Sequence, residues 1–273
     1  MLLLGGLVVT VTSSLVLARE LDRIGERLGF SEALLGIVTA LGADGPEIAS
    51  AVVALISGHN DTGVGVVVGS NVFNIAALLG LSAVLAPYVA LSALRARRLE
   101  WLPARLREAV REEQEDARLD THARLGGLAD ALGVVPALAG VIGGATAMVY
   151  AAQSLGDRWG VSDLIIGTIV LAALTGIPNL IAAVRLALHG RGAACVSESL
   201  NSNNANILVG LCIPALILGI GSASGVETFG AWWMVGMTLI TVALGFGGGL
   251  TRREGAMIVG LYVVFAVVVA TAG

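Results

Sequence analysis

Between Asp61 and Arg95 the chain carries no charged side chain. A soluble domain gives roughly a quarter of its residues to charge, so a run like this one must be buried on all sides or lie in lipid. A helix crosses the hydrocarbon core with about 20 apolar residues, and this run is longer than that. Comparable windows lie at 1–18, 34–57, between Asp130 and Asp157, between Asp163 and Arg185, at 194–219, between Glu227 and Arg252, and at 255–273. The window at 34–57 is interrupted by Asp44 and Glu47, and that at 194–219 by Glu198. The expectation is an all-α, polytopic membrane protein of about 8 transmembrane helices. The whole chain is only 13% charged and 56% hydrophobic, which fits a bilayer as solvent. Its net charge of −4 offers no surface for nucleic acid.

Charge placement gives a topology. If the eight windows alternate, the loops at 19–30, 88–130, 185–193 and 251–254 share one side. All of the arginines fall there except Arg158, and the chain has no lysine. By the positive-inside rule that side is cytoplasmic, and both termini lie outside. The first window lacks a basic run before it and Arg19 follows it, so it reads as a retained helix and not a cleaved leader. Tyr150, Trp159, Trp232 and Trp233 fall near the outer boundary, as an aromatic belt would. The expected location is the plasma (inner) membrane. Within 88–130, Leu99, Leu102, Leu106 and Val110 recur at helical spacing beside Trp101. This stretch reads as a cytoplasmic amphipathic helix or a solvated linker. The expected organisation is a first repeat at 1–87 with three helices, a linker at 88–130, and a second repeat at 131–273 with five.

Sliding the chain by 132 residues lays 36–80 over 168–212 without a gap. The polar coincidences carry the weight: Pro46 with Pro178, Gly58 with Gly190, Ser70 with Ser202, Asn71 with Asn203, Asn74 with Asn206. Under the topology above the copies are inverted in the membrane. Inverted repeats with Gly/Pro-interrupted helices at matching positions place a binding site near the bilayer midplane. Polar side chains at that depth are expensive unless they face protein, water or ligand. Ser and Asn four residues apart share one helix face.

"GADGPE" followed by "GHNDTGVGVVVGSNVFNI" resembles the first α-repeat of the cation/calcium antiporter superfamily, the sodium/calcium exchangers. "LTGIPN" and "SESLNSNNANI" resemble a drifted second one. The resemblance implies a cation site in which Glu47 is the acid of the first repeat. Ser70 and Asn74, and Ser202 and Asn206, supply side-chain oxygens, while Ala43 and Thr175 sit at the Thr position of the family's G-T-S motif. Two departures stand out. Asn179 replaces the second acid, whereas Asp44 stands where the family has a hydroxyl. Glu198 lies one turn before Ser202, so a rearranged site with acids at 44, 47 and 198 is expected. The family also has two more helices, whose place the linker takes here. The face they leave would be covered by a second copy, by the linker helix or by lipid.

The implied activity is secondary antiport of Na⁺ or H⁺ against another cation, Ca²⁺ among the candidates, with no cofactor. A carboxylate that leaves water can also change protonation state and carry protons. The alternatives are an Na⁺/H⁺ or H⁺/cation exchanger that does not use Ca²⁺, and a degenerate scaffold that binds an ion or partner without transport. Asp44 and Glu47 could instead form a D-x-x-E capping box. Glu198 could be a boundary residue, and the Ser and Asn residues could be glue between helices. His59 and Asp61 make a weak metal pair. No nucleophile elbow, P-loop or zinc spacing is present, which argues against an enzyme. Cys195 and Cys212 read as small packing residues.

Overall fold

The computed structural model describes residues 1–28, 41–85, 128–188, 192–221, 223–246 and 250–272, and these are helical with short turns and no strand. We number the helices α1 (Leu2–Leu28), α2 (Gly45–Ile56), α3 (Asn60–Leu85), α4 (Leu128–Trp159), α5 (Asp163–Leu188), α6 (192–218), α7 (Gly225–Phe246) and α8 (Arg252–Ala272). Among the described residues seven helices are long and apolar enough to cross a membrane, and α2 is a shorter apolar helix. The upstream part of the second window, 34–40, the linker with Trp101 and His122, and His189 lie outside the described residues.

One helix is central. In α3, 83% of the most apolar window is buried within the protein, against 22% in α1, α6, α7 and α8. Much of the outer helices therefore faces away from the described residues, while α3 is enclosed by protein. Glycine makes this enclosure close. A Cβ on Gly69 would stand 2.7 Å from the Thr168 Cα, and one on Gly65 would stand 2.8 Å from the Thr168 Oγ1. Small residues let backbones meet where lipid gives no hydrophobic drive. α3 and α5 thus run side by side in the same direction over 62–69 and 163–168. Thr62 Oγ1 donates to the Asp163 carbonyl at 3.2 Å, and His59 Nδ1 lies 2.9 Å from Asp163 Oδ2. His59 is therefore tied to α5 by a contact across the fold.

α1 and α4 pair antiparallel by the same device. A Cβ on Gly6 would meet the Gly144 carbonyl at 2.8 Å, and Gly133 packs on the stem of Glu20. Beyond the centre, α8 covers the end of α3: Leu78, Ile258 and Phe265 form one apolar cluster with Val72. α7 and α8 each start with a reciprocal cap. The Ser224 N–H donates to Glu227 Oε2 at 2.6 Å and the Thr251 N–H to Glu254 Oε2 at 2.6 Å. These two acids are thereby spent on helix ends.

Three helices contain π-helical turns: Ile75–Leu81 in α3, Ile166–Leu171 in α5 and Asn206–Cys212 in α6. The first and third occupy nearly matching places in the 132-residue register. The two copies are interrupted differently at their prolines. The chain is helical at 41–43, turns at Asp44, and resumes at Gly45 with Pro46 in the first turn. In the second copy the helix runs unbroken through Pro178, and the irregularity sits upstream in the π-helical turns of α5.

Candidate functional site

The break at Asp44 follows from the sequence. Pro46 has no N–H, so the Gly42 carbonyl loses the partner that a continuous helix would give it four residues on. Ser14 of α1 supplies a substitute. Its hydroxyl reaches the Gly42 carbonyl at 2.6 Å and the Ala43 carbonyl at 3.1 Å. A buried carbonyl left bare would cost about 1–3 kcal/mol. Ala43 contributes only this main-chain oxygen, already engaged by Ser14.

The turn delivers two carboxylates to the interior, with Asp44 and Glu47 both buried. Asp44 holds the N-cap position of α2 but makes no side-chain cap bond. The capping-box reading therefore fails, because the side chain turns instead toward the second copy. Asp44 Oδ1 accepts from Ser202 Oγ at 2.7 Å and from Asn179 Nδ2 at 2.9 Å. Glu47 Oε1 accepts from the same Asn179 amide at 3.4 Å, and Asn206 Nδ2 donates to Glu47 Oε2. The carboxylates come from the first copy and their donors from the second.

Ser70, Asn74, Ser202 and Asn206 are all buried. α3 and α6 cross antiparallel here. Asn74 Nδ2 donates to Ser202 Oγ at 3.1 Å and to Asn203 Oδ1 at 3.3 Å. Ser202 Oγ also receives the Asn179 amide at 3.2 Å, so its hydroxyl is fully committed. Thr175 is buried one turn before Asn179, and its hydroxyl donates to the Leu171 carbonyl at 2.8 Å. That leaves the Thr175 oxygen free to accept, but no contact ties it to the acids.

The remaining expected acid behaves differently. Glu198 is half-buried, with Oε2 lacking a partner. Among the described residues no three His, Cys, Asp or Glu side chains gather as a metal-holding group. Asp44 and Glu47 are joined by the Asn179 amide they share, and Glu198, the third expected acid, lies close enough for its charge to act on Asp44. One turn of helix separates it from Ser202, but sequence distance does not fix which way a side chain leaves the helix.

Four buried oxygens in this cluster have no hydrogen-bond partner: Asp44 Oδ2, Ser70 Oγ, Asn74 Oδ1 and Asn206 Oδ1. Each such atom costs about 1–3 kcal/mol if left bare, and native interiors hold few of them. One belongs to a carboxylate of the pair, two to amides that bond into the network, and Ser70 lies one turn before Asn74; with Glu47 they have the chemistry of a hard-cation ligand set, which is all oxygen and partly anionic.

Sequence reasoning missed Ser14, which belongs to no motif and acts across the fold. It used Asn71 and Asn203 as marks of the repeat but gave them no place in the site. Both lie inside the network, and Asn71 Oδ1 accepts from Asn206 Nδ2 at 3.4 Å.

Fold and site together define a class, a helical integral membrane protein that wraps two polar hairpins around a buried, oxygen-rich centre. The chain belongs to the family described as sodium/calcium exchanger protein, matched over residues 1–105 and 130–271. It is similar to sodium/potassium/calcium exchanger 4 of Mus musculus, 34% identical over 128 residues, which is 43% of this chain and 21% of that protein. It is also similar to sodium/potassium/calcium exchanger 1 of Mus musculus, 42% identical over 76 residues, 28% of this chain and 7% of that one. The chain therefore matches only a small part of the length of these relatives. Two solved structures share its fold. The H⁺/Ca²⁺ exchanger CAX superposes with a TM-score of 0.67 at 15% identity, covering 99% of this chain and 84% of that one. The sodium-calcium exchanger NCX_Mj gives 0.56 at 20% identity, covering 96% of each.

Proposed function

We propose that this protein is a secondary cation antiporter, exchanging Na⁺ or H⁺ for a second cation, Ca²⁺ among the candidates. The observation that carries the reading is the convergence of Asp44 and Glu47 with the four partnerless oxygens, buried between the two hairpins. A cation entering this centre would take its oxygens from Asp44, Glu47, Ser70, Asn74 and Asn206, with Thr175 within the same helix turn as Asn179. Competing cations would displace one another there, and alternating access would expose the centre to each side in turn. α1 and its counterpart α4 would slide past the hairpins. The antiparallel crossing of α3 and α6 supports an inverted relation between the copies. The arginine-bearing loops would be cytoplasmic and both termini outside, in the plasma (inner) membrane. The exposed rings of Trp159 and Trp232 support the outer boundary.

Cation-gradient-driven flux into proteoliposomes tests this. Wild-type protein exchanges, and Glu47→Gln falls to the background of empty vesicles. Undiminished flux in that variant removes Glu47, and with it the mechanism.

A second reading within the class is an H⁺- or Na⁺-coupled exchanger that does not use Ca²⁺. Asn179 favours it. This residue stands in the place of the second acid, and its amide hydrogens point at both carboxylates. Calcium uptake driven by an outward sodium gradient excludes this second reading.

A further inference from the structure

Asn71 and Asn203 are separated by the repeat register of 132 residues, and each binds the other. Asn71 Nδ2 donates to the Asn203 carbonyl at 3.4 Å, and Asn203 Nδ2 donates to the Asn71 carbonyl at 3.3 Å. The reciprocity extends one step outward. Asn71 Oδ1 accepts from Asn206 Nδ2 at 3.4 Å, and Asn203 Oδ1 accepts from Asn74 Nδ2 at 3.3 Å. Every bond has its mate under the register that equates 71 with 203 and 74 with 206. A contact in which i meets j and j meets i marks a two-fold axis. This one passes between α3 and α6 at the two asparagines.

An amide side chain has one acceptor and two donors at fixed angles. Each of these two asparagines holds the nitrogen end of the neighbouring Asn74 or Asn206. The same nitrogens also donate into the centre, Asn206 Nδ2 to Glu47 Oε2 and Asn74 Nδ2 to Ser202 Oγ, so the oxygen of each amide faces away from both partners of its nitrogen. The oxygens left facing away are Asn74 Oδ1 and Asn206 Oδ1, two of the four partnerless atoms of the centre. Fully connected buried networks of this kind fix one arrangement, while half-made ones do not.

We infer that Asn71 and Asn203 are positioning residues: a reciprocal clasp on the two-fold axis that fixes how the Asn74 and Asn206 amides are turned beside the cation site. The inference rests on the cation-site reading above. The clasp itself contributes no ligand. It sets the orientation of two other amides. It also makes the two copies mutually dependent, since neither clasp residue works without the other.

The test uses the full chain in proteoliposomes and in detergent, with Na⁺ and Ca²⁺ as probes. Two quantities are read: the half-saturating cation concentration for flux, and that for cation-dependent thermal stabilisation, which reports binding to the folded state alone. Asn71→Ala and Asn203→Ala are each expected to raise both about tenfold, with a smaller change in maximal rate. The double variant is expected to be no worse than about twofold beyond either single one, because the two act as a unit. Asn203→Gln keeps the amide at a half-buried position and is expected to recover part of the loss. A purely structural role predicts a lower melting temperature with unchanged half-saturation, and that result overturns the clasp. Multiplicative losses in the double variant overturn it too. If Glu47→Gln abolishes flux and the asparagine variants bind cations normally, the clasp alone fails. If Glu47→Gln transports like the wild type, or the wild type neither transports nor is stabilised by either cation, the site reading falls and the clasp with it.

Discussion

The two copies of the polar hairpin have the same register and opposite chemistry. The first turns sharply at Asp44 and carries both carboxylates. The second runs straight through Pro178 and carries Asn179, Ser202 and Asn206, which donate into those carboxylates. The charge of the pair sits in one half, while both halves donate hydrogens across the centre, Asn71 and Asn74 to Asn203 and Ser202 in the other direction. In the 132-residue register Asn179 faces Glu47 and Gly176 faces Asp44, so both carboxylates of the pair belong to the first copy. A buried charge is tolerable where the opposite helix offers donors to meet it, as Asn179, Ser202 and Asn206 do.

Removing charge from the first copy should have the largest effect. Glu47→Gln is expected to abolish flux, and Asp44→Asn to lower divalent-cation flux by about a hundredfold, because carboxylates set the affinity of an oxygen site. An Asp44→Asn protein that matches the wild type would end the claim that the first copy holds the charge. Placing an acid in the second copy is the sharper version. Asn179→Glu is expected to lower half-saturation for Ca²⁺ by about tenfold relative to that for Na⁺, read as competition in the same flux assay. No change in that ratio would mean that Asn179 does not set preference.

Smaller effects concern the scaffold. Gly69→Ala forces a methyl group against the main chain of Thr168, and overpacking of this kind costs about 1–3 kcal/mol. Its melting temperature in detergent should fall clearly. Ser14→Ala bares the Gly42 carbonyl that Pro46 has already deprived of a donor, at about 1–2 kcal/mol, and should also disturb transport by loosening the turn. Asp163→Asn is expected to shift the melting temperature least, since its contact with His59 is half-exposed and worth under about 1 kcal/mol.

Much of this was legible because lipid makes polarity costly. In a charge-free window, Asp44, Glu47, Ser70 and Asn74 stand out, and one shift of register finds their partners. Asn179 stood out as the register mate of Glu47. Orientation along a helix was not readable. Glu198 sits one turn from Ser202, and spacing alone did not say that its charge would act on Asp44 while its Oε2 found no partner among the described residues. π-helical turns at Ile75 and Asn206 rotate everything beyond them relative to an α-helix, and no local pattern announces them. The capping box looked right by spacing and failed because Asp44 found stronger donors across the fold. Ser14 was invisible for a plainer reason. Its partner lies 28 residues away, and a serine among apolar residues resembles any other.

The seam between α3 and α5 sets a mechanical condition. Where Gly69 faces Thr168 and Gly65 its hydroxyl, main chain lies on main chain with no rotamers between. A seam this close leaves little slack between the two helices, one from each copy. In an alternating-access cycle they are therefore expected to travel together like a keel, with the hinging left to the lighter timbers around it.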